Sequence, residues 1–138
     1  MQKNILGTVV HGLGKGKELG FPTVNIRLND SNLHIENGVY ATSLTIFWSN
    51  NSRVSSAHFG MLYVGTRPTF QLQTPTIEIH IFNFNENLYN QQISFNILHK
   101  IRNEISFSSV EKLVEQLHQD KKMVYDYLSS IFFNSSKL

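Results

Sequence analysis

Three clusters of residues in this sequence have the chemistry to handle a phosphate group. The stretch Gly12-Leu13-Gly14-Lys15-Gly16-Lys17-Glu18-Leu19-Gly20 packs four glycines and two lysines together. Glycine permits backbone conformations with positive φ and lets N–H groups come close to a bound anion, and the lysines add positive charge at the same place. The same composition also describes a mobile hairpin loop. Two well-known phosphate motifs are excluded. A Walker A loop needs Ser or Thr after Gly-Lys, whereas Gly14-Lys15 precedes Gly16 and Gly16-Lys17 precedes Glu18. The dinucleotide fingerprint fails because Leu19 stands where its last glycine belongs.

The second cluster follows directly in Phe21-Pro22-Thr23-Val24-Asn25. In an extended segment Thr23 and Asn25 project from one face. Their hydroxyl and amide oxygens are neutral hard donors, suited to completing the shell of a magnesium ion that keeps waters and phosphate oxygens as its other ligands. Taken without the neighbouring glycine loop, the same residues read first as a strand start with two polar side chains turned to solvent. The third is Glu78, within Thr76 to Phe82, where Ile77, Ile79 and Ile81 alternate with Glu78 and His80. A carboxylate on that outer face is either solvated or placed over a cleft.

The elements that must hold these residues are mostly strands. Ile5 to Val10 is a short apolar strand. Gly38 to Trp48, entered through the turn dipeptide Asn37-Gly38, and Val54 to Val64 form a hairpin across Ser49 to Arg53. Gln92 to Leu98 turns Ile93, Phe95 and Ile97 inward. Strands at this spacing imply an antiparallel barrel or sandwich. The period then changes. Ser108 with Glu111 reads as a capping box, and Val110, Leu113, Val114, Leu117, Val124, Leu128 and Ile131 recur at helical spacing. A helix over about 109–130 should lie against a barrel over about 1–107.

The 138 residues fit a single domain, with no internal repeat or linker. No apolar run reaches the length of a membrane span, and the N-terminus lacks the pattern of a signal peptide. Cysteine is absent, which excludes disulfides and thiolate metal sites, so a cytoplasmic protein is expected. A net charge of +2 is too small to argue for nucleic acid. The six histidines show no metal-binding spacing, so His80 is read as structural or supporting. Arg67 beside Pro68 is read as a loop anchor, and Tyr125 and Tyr127 as packing residues.

Gly16-Lys17-Glu18-Leu19-Gly20-Phe21-Pro22-Thr23-Val24-Asn25 resembles the signature of the riboflavin kinase family, in which Ala is commoner at the place of Val24. Further segments match in the family's order: Gly38-Val39-Tyr40-Ala41, Val64-Gly65-Thr66-Arg67-Pro68-Thr69-Phe70, Glu78-Ile79-His80-Ile81-Phe82-Asn83-Phe84 with Leu88-Tyr89, and Ile101-Arg102-Asn103-Glu104 with Phe107. A helix carrying Asp120 follows. The resemblance implies a small Greek-key β-barrel, mainly β, with a C-terminal α-helix. It implies magnesium-dependent transfer of the terminal phosphate of ATP to riboflavin, giving FMN and ADP.

The resemblance also carries roles. The loop glycines Gly12, Gly14 and Gly16, with Lys17 and Thr23, would hold the ATP phosphates, and Thr23 and Asn25 the Mg²⁺. Glu78 would be the catalytic carboxylate. Ile81, Asn83 and Tyr89 would line the adenine side, and Arg102, Glu104, Ile105 and Phe107 a loop over the flavin. Asn90 stands where the family has Gly, and Asn is the next best residue for a left-handed turn. Tyr63 replaces a common Asn. In bacteria this kinase is often fused to an FMN adenylyltransferase domain. Nothing in these 138 residues resembles that domain, so the expected product is FMN, made by a monomer acting on two small molecules without nucleic acid or membrane.

Two other classes fit these residues less well. A non-catalytic flavin- or nucleotide-binding regulator has no physical reason to keep Thr23, Asn25 and Glu78 together. An oligonucleotide-binding barrel would need an extended basic and aromatic track beyond Lys15 and Lys17.

Overall fold

The computed structural model describes residues 4–12, 14–66 and 76–136. Leu13 and the run from Arg67 to Phe70 lie outside the described residues, and with them the expected anchoring role of Arg67. The elements in order are β1 (Ile5–Val10), α1 (Lys15–Glu18), β2 (Val24–Leu28), β3 (Gly38–Phe47), β4 (Val54–Gly65), β5 (Thr76–Ile81), β6 (Gln92–Arg102) and α2 (Val110–Ser136). All six strands close into an antiparallel barrel in the order β1-β2-β5-β4-β3-β6. Strands β3, β4 and β5 run as consecutive neighbours and β6 returns to lie beside β3, which is the Greek-key connection.

Alternation along the strands divides the apolar residues into two cores. Val9, Ile26, Leu44, Leu62, Ile79, Ile81, Ile93 and Phe95 fill the barrel, with Ile77 and Ile97 packed at its margin. Val39, Ala41, Met61 and Phe82, from the opposite faces of β3 and β4 and from the end of β5, meet Leu113, Leu117, Val124 and Leu128 of α2. Each large side chain removed from water contributes about 1.5–3 kcal/mol, so both faces of β3 and β4 are committed. The hairpin between β3 and β4 pairs as expected, from Gly38↔Val64 to Phe47↔Val54, with a bulge between Leu44 and Ile46.

Helix α2 differs from expectation at its start. Ser109, not Ser108, caps it: the Ser109 Oγ accepts from the Lys112 N–H at 3.2 Å, and its carbonyl from the Leu113 N–H at 3.2 Å. With Ser109 as cap the third helical residue is Lys112, so Glu111 cannot complete a capping box. Val110, expected on the packed face, is exposed. The helix also runs past residue 130, where Phe132 meets Phe59 edge-on at 5.3 Å.

Of strand β2 only a start around Thr23 and Asn25 was legible, and the single turn α1 was not. The glycine stretch folds partly as that turn, held by the Phe21 N–H donating to the Gly16 carbonyl at 2.7 Å. Gly14 adopts φ 72° and Gly20 φ 86°, in the region where glycine is the preferred residue.

Candidate active site

Strands β2 and β5 bring two of the three clusters together. Their register pairs Val24 with Ile79 and Asn25 with Glu78. Val24 and Ile79 turn inward, so Asn25 and Glu78 share the outer face. Just before β2, the Thr23 Oγ1 donates to the Glu78 Oε1 at 2.8 Å. From within β5 the Thr76 Oγ1 donates to the other carboxylate oxygen, Oε2, at 3.0 Å. Glu78 is therefore a buried carboxylate with both oxygens engaged by hydroxyls, not a solvated surface group. Thr76 was not singled out from the sequence, although the alternation already put it on the Glu78 face.

The glycine loop closes the third side. A Cβ at Gly12 would run into the Asn25 amide, and one at Gly16 into the Phe21 carbonyl and the Thr23 side chain. At Gly16 the clash is with fixed backbone, so glycine is required there, whereas at Gly12 it is with the movable end of the Asn25 side chain. Between this loop and the segment 84–89 lies a cleft of about 480 Å³, whose walls include Gly12, Gly14, Lys17, Thr23, Asn25 and Tyr89. Its floor is apolar, from Val9, Val24, Ile79 and Ile81. That volume suits a ligand of nucleotide size. His11 stacks on Tyr89 at the rim, ring centroids 3.7 Å apart and planes 22° from parallel, an arrangement no sequence pattern announced. Asn83 sits in the turn after β5 at φ 54° and is not among the lining residues of this cleft. Asn90 adopts φ 70°, the left-handed turn expected of it.

Thr23 also lines a small apolar crevice on the α2 side, with Phe21, Met61, Tyr63, His80 and Leu117. Beyond it lies the segment 102–107. Glu104 accepts from the Tyr63 hydroxyl, from the Thr66 N–H at 2.9 Å and from the Asn37 Nδ2 at 3.3 Å. Tyr63, the unusual residue at its position, therefore has a defined partner. Ile105 is exposed, and Phe107 packs at the margin of the α2 core. Arg102 was expected in the loop but lies at the end of β6. Its Nε is 2.9 and 3.0 Å from the two carboxylate oxygens of Asp120, its Nη2 is 2.9 Å from Oδ2, and its guanidinium stands 5.6 Å from the centre of the Phe107 ring.

His80, on the Glu78 face, is buried, and its Nδ1 lies 2.8 Å from the Pro22 carbonyl oxygen. Burial lowers its pKa below the ordinary histidine value, aided by the charge of Lys121 and opposed by the carbonyl bond. Among the described residues no three His, Cys, Asp or Glu side chains group as a metal site. No helix among the described residues is long and apolar enough to cross a membrane.

The site thus offers a glycine loop, neutral oxygen donors and a carboxylate beside a cleft. Comparison with known proteins gives this arrangement its context. The family model described as riboflavin kinase matches residues 2–128. The bifunctional riboflavin kinase/FMN adenylyltransferase of Buchnera aphidicola subsp. Schizaphis graminum is 38% identical over 130 residues, covering 93% of this chain but 39% of that protein. The chain thus spans about two fifths of that bifunctional relative. The riboflavin kinase of Scheffersomyces stipitis is 27% identical over 153 residues, covering 94% of this chain and 86% of that one. The crystal structure of a riboflavin kinase from Trypanosoma brucei shares the fold, with a TM-score of 0.70 at 24% identity over 93% of this chain and 80% of its own. With the match running through the glycine loop, both site strands and most of α2, the chain belongs to the riboflavin kinase family.

Proposed function

We propose that this chain transfers the terminal phosphate of ATP to the ribityl hydroxyl of riboflavin, giving FMN and ADP. The observation that supports it most is the meeting of Glu78 with Thr23 at 2.8 Å, beside Asn25 and under the glycine loop. The riboflavin hydroxyl oxygen bonds to the γ-phosphorus, the bond to the β–γ bridging oxygen breaks, and ADP leaves with that oxygen. The hydroxyl proton goes to Glu78. Phosphoryl transfer has a loose transition state, so positioning and charge compensation dominate over nucleophile activation. Lys17 and the N–H groups of the glycine loop offset charge on the leaving phosphate. Tyr89 and Ile81 take the adenine end, and Glu104, Ile105 and Phe107 the flavin end, while Arg102 holds that segment.

The residues present fit Mg²⁺. Thr23 and Asn25 supply neutral oxygens, as expected of an ion that keeps waters and phosphates in its shell. When bound, the ion neutralises phosphate charge. The Thr23 oxygen would offer the ion a lone pair while its hydrogen stays on the Glu78 Oε1.

The reading carries with it a cytosolic monomer that acts without nucleic acid or membrane, consistent with a net charge of +2 and no long basic track. The test is direct. The protein is incubated with riboflavin, ATP and Mg²⁺ and the products are separated by chromatography. FMN and ADP in equal amounts support the reading. Folded protein that yields no FMN rejects it, and a flavin- or nucleotide-binding module would then remain.

A further inference from the structure

Thr23, central to the site, lies just outside the sheet. The β2–β5 ladder runs through Val24↔Ile79 and Asn25↔Glu78, and one further step would set Thr23 opposite His80. The preceding residue, Pro22, has no N–H with which to extend a ladder. A side chain supplies the missing tie: the His80 Nδ1 lies 2.8 Å from the Pro22 carbonyl oxygen. A carbonyl oxygen only accepts, so Nδ1 carries the proton. The imidazole has little room to turn. It is 8% exposed and meets Phe21 and Phe82 edge-on, at 5.4 and 5.8 Å between centroids. On the other flank the Phe21 N–H donates to the Gly16 carbonyl at 2.7 Å. Phe21-Pro22-Thr23 is thus held by the glycine loop on one side and by His80 on the other.

Packing alone does not call for a histidine here. An apolar ring would fill the same space among Phe21, Met61 and Leu117 without the cost of burying two ring nitrogens. Pro22 itself is exposed, and its carbonyl oxygen is turned to the buried imidazole. The bond makes sense as a constraint on the chain at the residue before Thr23.

We infer that His80 is a positioning residue whose Nδ1–H, by holding the Pro22 carbonyl, fixes the direction in which the Thr23 hydroxyl faces the phosphate-bound metal. The inference rests on the activity proposed above. It acts through Thr23 and involves no contact with substrate.

Two variants separate this role from packing. His80→Phe keeps a ring and loses the donor; His80→Asn loses the ring and puts Nδ2 close to the place of Nδ1. ADP binding is measured by calorimetry with and without Mg²⁺, alongside Mg²⁺ titrations of FMN formation. For His80→Phe the magnesium-dependent part of ADP binding weakens roughly 10–100-fold, the usual range for losing a residue that orients a metal ligand, while binding without Mg²⁺ is unchanged. His80→Asn recovers most of the loss. Wild-type Mg²⁺-dependent binding by His80→Phe, or equal impairment of both variants, overturns the inference. If the wild type makes no FMN yet the binding responds as described, the proposed activity fails and the role of His80 stands. If FMN forms and His80→Phe has the wild-type magnesium dependence, the activity stands and this inference falls.

Discussion

Asp120, in the middle of α2 and without exposed surface, faces Arg102 at the end of β6 through contacts of 2.9 and 3.0 Å, and takes a further hydrogen bond of 2.9 Å from Gln116. The pair ties the helix to the barrel next to the segment that carries Glu104 and Phe107. Removing one partner of a buried pair leaves an uncompensated charge, which costs about 3–5 kcal/mol. Asp120→Ala should lower the urea unfolding midpoint accordingly. An unchanged midpoint would mean that the pair is solvated in solution.

Glu78→Gln should cut FMN formation by about 10²–10⁴-fold, the range for losing a general base. The amide oxygen still accepts from one hydroxyl, of Thr23 or Thr76, so the far-ultraviolet circular dichroism spectrum should match the wild type. Near-normal turnover would remove Glu78 from the base role.

Thr23→Ala and Asn25→Ala should each raise the Mg²⁺ concentration needed for half-maximal rate by about tenfold or more. Thr23→Ser keeps the oxygen and should stay close to the wild type. Metal titrations that do not move with Thr23→Ala or Asn25→Ala would return those residues to a structural role.

Gly12→Ala should act through Asn25, because the new methyl group meets the end of that side chain. A side-chain amide moves at small cost, so the unfolding midpoint should change little while the magnesium requirement rises. Loss of stability without a change in metal dependence would contradict this.

The pH dependence of stability has a predictable sign at His80. Its folded pKa lies below the ordinary value through burial, with Lys121 adding to the shift and the Pro22 carbonyl opposing it. Between the folded and unfolded pKa values the unfolded chain therefore binds the extra proton. Stability should fall as pH drops through about 6.5 and keep falling until the folded value is reached. Denaturation at pH 7.5 and 5.5 should show a smaller difference for His80→Phe than for the wild type. Equal differences would place the proton elsewhere.

Much of the fold could be read from local pattern. The alternation of Ile77, Ile79 and Ile81 with Glu78 and His80 gave β5 its faces, and the apolar spacing from Leu113 to Leu128 gave α2 its packed side. Short elements escaped. Strand β2 has five residues, too few for a periodic signal, and α1 is one turn built on a glycine. The contacts that define the site escaped for another reason. Thr23 and Glu78 are 55 positions apart, His80 and Pro22 are 58, and neither pairing leaves a trace in the neighbouring sequence. The capping-box pattern pointed to Ser108 because Glu111 lies three residues on, yet the cap is Ser109, followed at that spacing by Lys112.

The seam of the barrel joins its first strand to its last, with Gln92 donating to Thr8 across 84 positions of chain. Closing so long a loop is paid for in entropy before any contact rewards it. The glycine loop hangs from β1 and β2, so it has no fixed place until that seam forms. A nascent chain should therefore stay inert until β6 has cleared the ribosome, and on refolding from denaturant catalytic competence should return with the slowest phase, behind the recovery of helix signal.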